Sequence, residues 1–190
     1  MIYFVGGAPR AGKSILGQRV SARLRIGWIS TDILEELLRG DKSEAAKNEW
    51  NADPENIAAS AERFFPYLER FVWGISSLAD NYLIDGVDFL PSQVARLSTE
   101  YEIRSVFLGC SQMTLESFDR FPGRSQGYAD LPDEMRRRIV QDVPLWSEFI
   151  RQEAKRFGYP YIDTSVDFSA RMKEAESALI DGIVTEEHPA

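Results

Sequence analysis

The segment GAPRAGKS, residues 7–14, sets two glycines, a lysine and a serine at the spacing G-x-x-x-x-G-K-[ST]. That combination suits a phosphate. Glycines permit a tight turn in which successive backbone N–H groups point at one anion. A lysine directly after the second glycine can reach the outer phosphates of a nucleotide, and the hydroxyl that follows can ligate a divalent cation. The pattern assigns nucleotide contact to Gly7, Ala8, Pro9, Arg10, Ala11, Gly12, Lys13, Ser14 and Ile15, with Ser14 also on the metal. Its surroundings fit the mechanism. The apolar run IYFVG (2–6) precedes it and the helix-periodic KSILGQRVSARLR (13–25) follows, so a helix N-terminus faces the anion. A strand-to-helix turn that binds nothing is the plain alternative.

Such a loop needs a sheet to hold it. Short apolar runs alternate with longer segments of helical period, which is the signature of a parallel α/β sheet. The expected strands are residues 2–6, 27–30, 82–85, 104–109 and 159–163. Between them, Ile57, Ala61, Phe64, Leu68, Phe71, Ile75 and Leu78 recur at spacings of three and four, which predicts a long helix from about Pro54 to Asp80. Pro66 should kink or split it. Another helix is expected from about Pro132, capped by Asp130, broken by Pro144 and stopped by Gly158, and a last one over roughly 168–180. Trp50, Phe64, Phe65, Tyr67, Phe71 and Trp73 could line a pocket, although aromatics at this spacing usually form core. No internal repeat or linker interrupts the chain, and a single domain over 1–190 is expected.

Composition narrows the classes of function. The 190 residues carry a formal net charge of −8, which argues against a nucleic-acid surface. An anionic ligand must then be met by a local group of Lys and Arg. Cys110 is the one cysteine, so no intrachain disulfide forms, and the lone His188 is too isolated for a metal site or a His-based catalytic pair. No run is apolar enough to span a bilayer, and the chain passes from Met1 straight into a strand; a cytoplasmic protein is expected.

The compact size, early phosphate loop and long inserted helices resemble the small-molecule kinases of the adenylate, shikimate and gluconate kinase kind. Four phrases add to the likeness. STDILEELLRG (30–40) puts Asp32 where that superfamily faces an acidic residue to the acceptor hydroxyl, although Thr31 or Asp32 could equally cap the next helix. YLIDGVDFLP (82–91) is similar to the LLDGFPR of adenylate kinases and to the IEGVH(L)xP of 2-phosphoglycerate kinases, which also carry a TDSIRE-like phrase. The resemblance assigns Asp85 to a metal-bound water, beside the plain reading of a buried turn cap. Asp88 stands where adenylate kinases carry a substrate-phosphate arginine, a departure that weakens a nucleoside-monophosphate reading. DRFPGR (119–124) resembles the DRIVGR that opens the adenylate kinase lid; it implies Arg120 near adenine and Arg124 on phosphate, unless both are solvated surface arginines. MRRRI (135–139) offers Arg136, Arg137 and Arg138, of which helical geometry turns one or two inward, with Arg137 and Arg138 as the candidates. After the last strand, Thr164 and Ser165 fall beside the adenine in related kinases, or cap a helix.

The resemblance implies a three-layer α/β P-loop NTPase fold of the nucleoside/shikimate kinase kind, a five-stranded parallel sheet ordered 2-3-1-4-5. Residues 33–80 would form a helical acceptor-binding region and 120–132 a lid. ATP and Mg2+ would be the cofactors, with Lys13, Asp32, Arg120 and Arg124 catalytic, Thr164 on the nucleotide, and Ser14 and Asp85 on the metal. The reaction would be γ-phosphoryl transfer to a small hydroxyl-bearing or phosphorylated acceptor, one like 2-phosphoglycerate among them. Two alternatives stay open: an antibiotic or nucleotide-sugar kinase of the chloramphenicol phosphotransferase or zeta-toxin kind, and an ATP-binding regulator with little catalysis that signals to a protein partner. Neither a protein partner nor an oligomeric state is legible.

Overall fold

A computed structural model describes residues 1–38, 52–78, 81–120 and 131–181. Five strands, β1 (Ile2–Gly7), β2 (Gly27–Ser30), β3 (Tyr82–Asp85), β4 (Ile103–Gly109) and β5 (Tyr161–Asp163), form one parallel sheet in the order β2-β3-β1-β4-β5. This is the expected order. The helices are α1 (Lys13–Leu24), α2 (Thr31–Leu38), α3 (Pro54–Leu78), α4 (Pro91–Leu97), α5 (Leu115–Arg120), α6 (Asp133–Phe157) and α7 (Phe168–Ile180).

The strand period of two sorts the sheet into two cores. Ile2, Phe4, Ile84 and Phe107 face one side, against Ile57, Phe64 and Leu68 of α3, Val94 and Leu97 of α4, and Ile150 and Ala154 of α6. Tyr3, Val5, Leu83, Val106 and Leu108 face the other, against Leu16 and Val20 of α1 and Met172, Ala175 and Leu179 of α7. Both faces being covered explains why the strands read as nearly continuous apolar runs. Phe89 links the first core through edge-on contacts with Phe4 and Phe107, at 5.0 and 6.3 Å between centroids. A third cluster, Phe118 with Ile139 and Val143, joins α5 to α6.

Several expectations are corrected. Pro66 and Pro144 lie inside α3 and α6 without splitting either helix. Proline removes the N–H that would serve the carbonyl four residues earlier; Pro66 is exposed, so water can serve Glu62 instead. The helix expected from Pro132 starts at Asp133, with Pro132 itself at the cap and Asp133 and Glu134 in its first turn; Asp130 lies outside the described residues. β5 begins at Tyr161 rather than at Tyr159. Of the aromatics, Phe64 and Phe65 are core, Phe71 packs partly against it, and Tyr67 and Trp73 are exposed. Trp50 and most of the 120–132 segment, Arg124 included, lie outside the described residues.

Candidate phosphate-binding site

The site lies at the C-terminal ends of the strands, where β1 turns into α1. Gly7 has φ 127°, and a Cβ there would lie 2.0 Å from the Leu108 carbonyl oxygen on neighbouring β4, so only glycine fits. The Ala8 amide donates to that same carbonyl at 2.8 Å, which fixes where the loop leaves the sheet. Gly12, at φ 94°, caps α1, its carbonyl accepting from the Ile15 and Leu16 amides at 3.0 and 3.1 Å.

Lys13 is buried, and its Nζ donates to the Ala8 carbonyl at 2.7 Å, folding the side chain back across the loop. Burial lowers its pKa, and Asp32, Asp85 and Asp88 oppose that shift. Three carboxylates, from α2, β3 and the loop after β3, therefore bear on one ammonium.

Asp85 ends β3 and is fully buried. Its Oδ2 accepts from the Trp28 indole at 3.2 Å, while Oδ1 has no hydrogen-bond partner. Burial raises the Asp85 pKa; the Ser30 hydroxyl, Lys13, Trp28 and the Ser14 hydroxyl pull it down. An unpartnered, buried carboxylate oxygen near the Ser14 hydroxyl is a donor set that fits a hard divalent cation, which favours oxygen ligands. Among the described residues no group of three or more His, Cys, Asp and Glu side chains forms a metal cage. Ser14 and Asp85 would thus hold such an ion together with phosphate oxygens, as Mg2+ is commonly held.

Asp32 sits exposed in the first turn of α2, within electrostatic reach of Lys13. Thr31 is also inside that helix, fully buried, and its hydroxyl donates to Asp88 Oδ2 at 2.5 Å. Asp88 is the group that sequence reasoning left out of the site. Its pKa is pushed up to about 7, first by burial and then by Glu35 and Asp32, against the Thr31 hydroxyl and Lys13. The available signal was the departure itself: a carboxylate where related phrases carry a cation.

Thr164 is buried beneath the loop, and its hydroxyl donates to the Ala11 and Gly109 carbonyls at 3.0 and 2.9 Å. It braces the phosphate loop against β4. Neither Thr164 nor Ser165 caps α7, because Asp167 does, accepting from the Ala170 amide. Arg120 ends α5 and is exposed. Of the arginine triplet, Arg136 is the one turned toward a neighbour: half-buried, it pairs with Asp119 of α5 at 3.2 Å. Arg137 is exposed and Arg138 lies 3.8 Å from Asp142 on its own helix.

No protein-family model and no curated protein matches the chain. Solved structures do resemble it. A sugar kinase from Janibacter sp. HTCC2649 superposes with TM-score 0.57 at 14% identity, covering 98% of both chains. Shikimate kinase from Bacteroides thetaiotaomicron gives 0.55 at 14% identity, over 94% of this chain and 96% of that one. A gluconokinase from Sinorhizobium meliloti 1021 gives 0.52 at 17% identity, over 93% and 90%. What the chain shares with them is architecture: it has the three-layer fold of the P-loop kinases.

Proposed function

We propose that the chain is an ATP- and Mg2+-dependent phosphotransferase that moves the γ-phosphoryl group to a hydroxyl or phosphate of a small molecule, 2-phosphoglycerate-like acids being one candidate class. The observation that carries this reading is the convergence on a single buried lysine: Lys13 folds across a glycine-bounded loop while Asp32, Asp85 and Asp88 all bear on it. Anion-binding amides, a cation and acidic groups within one short radius are the parts that phosphoryl transfer needs. The kinase names of the structural neighbours support the same class.

In this reading backbone amides of the loop 7–15, Pro9 having none and Ala8 and Ile15 being engaged within the protein, act with Lys13 to hold the phosphates. Mg2+, held by Ser14 and Asp85, would neutralise phosphate charge when bound. Asp32 orients the acceptor hydroxyl and takes its proton as the new O–P bond forms and the bond from the γ-phosphorus to its bridging oxygen breaks. Arg120 and Arg124 contribute positive charge on the nucleotide side, and Thr164 acts by holding the loop. The whole chain works as one domain in the cytoplasm on a small-molecule substrate, without nucleic acid or membrane. Among the described residues no helix is long and apolar enough to cross a membrane.

The test is phosphorylated product, detected by mass spectrometry, from Mg–ATP and a panel of sugar acids, phosphorylated acids, nucleoside monophosphates, nucleotide sugars and antibiotics. One acceptor should give product. Lys13→Ala should lower turnover at least ~100-fold, and a variant as active as wild type would refute the phosphate-loop assignment. Asp32→Asn should leave ATP affinity within about threefold while cutting transfer ~100-fold or more.

A further inference from the structure

Arg10 occupies an interior position of the phosphate loop that its spacing pattern leaves open to any residue. It holds φ 64°, in the left-handed region, where a side chain is unfavourable and glycine would be at ease. Backbone in such a conformation persists only where surrounding contacts impose it.

The contacts are specific. Nη2 of Arg10 donates to the Phe118 carbonyl at 3.1 Å, across 108 residues of sequence. The same guanidinium stands over the Phe118 ring, with Cζ 4.3 Å from its centroid. Phe118 belongs to α5, so both contacts join the phosphate loop to that helix. Arg10 therefore ties the loop to α5 by one hydrogen bond and one cation–ring contact. The Phe118 ring is 2% exposed and packs on Ile139 and Val143 of α6, so the tie grips a helix already anchored elsewhere. Two residues beyond Phe118, α5 ends at Arg120.

The geometry points to Arg10 as a positioning residue that fixes α5, and through it Arg120, against the phosphate loop, so that filling the loop and holding Arg120 over the nucleotide become one event. This rests on the nucleotide reading above. It adds a role for a side chain that the loop pattern does not specify.

The experiment is a double-mutant cycle on equilibrium binding of Mg–ATPγS, with amide hydrogen exchange of residues 115–120 measured on the same proteins. Arg120→Ala should weaken binding about tenfold, Arg10→Gly nearly as much, and the double variant no more than either alone. Arg10→Gly relaxes the backbone, so misfolding is not the expected outcome; Phe118→Leu, which keeps bulk but removes the ring face, should move binding in the same direction. Arg10→Lys keeps a cation for the carbonyl but not the planar guanidinium over the ring, so it should recover binding only in part, to between Arg10→Gly and wild type. Without nucleotide, Arg10→Gly should speed exchange in α5 about tenfold. Additive losses in the cycle, wild-type affinity in Arg10→Gly, or unchanged α5 exchange would each overturn the inference while leaving the nucleotide reading intact. A wild-type protein that binds no Mg–ATPγS would overturn both, and the exchange arm would still report whether the tie exists.

Discussion

Asp88 shows how one residue's surroundings change what it can do. Burial, Glu35 and Asp32 push its pKa up to about 7, although the Thr31 hydroxyl and Lys13 favour the ionised form. The folded chain then binds this proton more tightly than the unfolded chain, whose aspartates titrate near ~4. Stability therefore falls as pH rises from about 4 to about 7 and is level above that. Asp88→Asn removes the penalty while keeping the shape and an acceptor for Thr31. We expect the variant to match wild type near pH 4 and to exceed it at pH 8 by about 1–2 kcal/mol, the full shift being discounted for solvent screening. Denaturant melts at the two pH values check this; equal stability at pH 8 would mean that Asp88 is not destabilised by its site. Asp85 and Asp142 are raised in the same direction, so the wild-type slope has other sources and the variant isolates that of Asp88. The sequence made Lys13, Ser14 and Asp85 visible because a motif or a strand end points at them. Asp88 was legible only as an oddity of type and Arg10 only as one more loop position, since what they touch, Thr31 and Phe118, lies far away in the chain.

Among the elements, those with a long repeating pattern were the ones the sequence revealed. α3 and α6 declare a period of 3.6 over 25 residues each, and every strand is an apolar run between turns. α4 and α5, of 7 and 6 residues, are too short for a period to emerge and were not anticipated. A proline's local cost is legible in the sequence, whereas the packing that offsets it is not. In α3, Ala61, Phe64, Phe65, Leu68 and Val72 bury a stripe that runs through Pro66, and that burial outweighs one lost hydrogen bond. How elements brace the loop was equally hidden. The Thr164 hydroxyl joins the loop beyond β5 to both Ala11 and Gly109. Thr164→Val keeps the shape and leaves the two carbonyls without that donor, at a cost of about 1–3 kcal/mol. Because one of those carbonyls belongs to the phosphate loop, nucleotide affinity should also fall about three- to tenfold. Calorimetry with a paired thermal melt separates the outcomes: lost stability with unchanged affinity would make Thr164 a strut for β4 alone.

Across the whole molecule the difficulty is one of charge. A chain of net charge −8 repels a polyanionic nucleotide, and of the loop's cations Arg10 is held on Phe118 while Lys13 has a charge that burial already disfavours. Three aspartates bear on that same lysine. Backbone amides and the α1 dipole help, but they are partial charges. The balance should therefore turn on a divalent ion that sits between phosphate and carboxylate, which is what the unpartnered Asp85 Oδ1 beside Ser14 suits. A quantitative expectation follows from linkage. At ~100 times its dissociation constant a ligand stabilises the folded state by about 2.7 kcal/mol, which for a domain of this size is roughly 5–10 °C in melting temperature. ATP with Mg2+ should give a shift of that order, and ATP with a chelator less than half of it. Ser14→Ala and Asp85→Asn should remove the Mg2+-dependent increment and retain the smaller metal-free one. Asp85→Asn should in addition raise the nucleotide-free melting temperature above pH 7, since a buried carboxylate with a raised pKa is replaced by a neutral amide. If ATP alone shifts the wild-type melt as far as Mg–ATP, the metal role of Ser14 and Asp85 is wrong, and the carboxylates that crowd Lys13 must then face the acceptor instead.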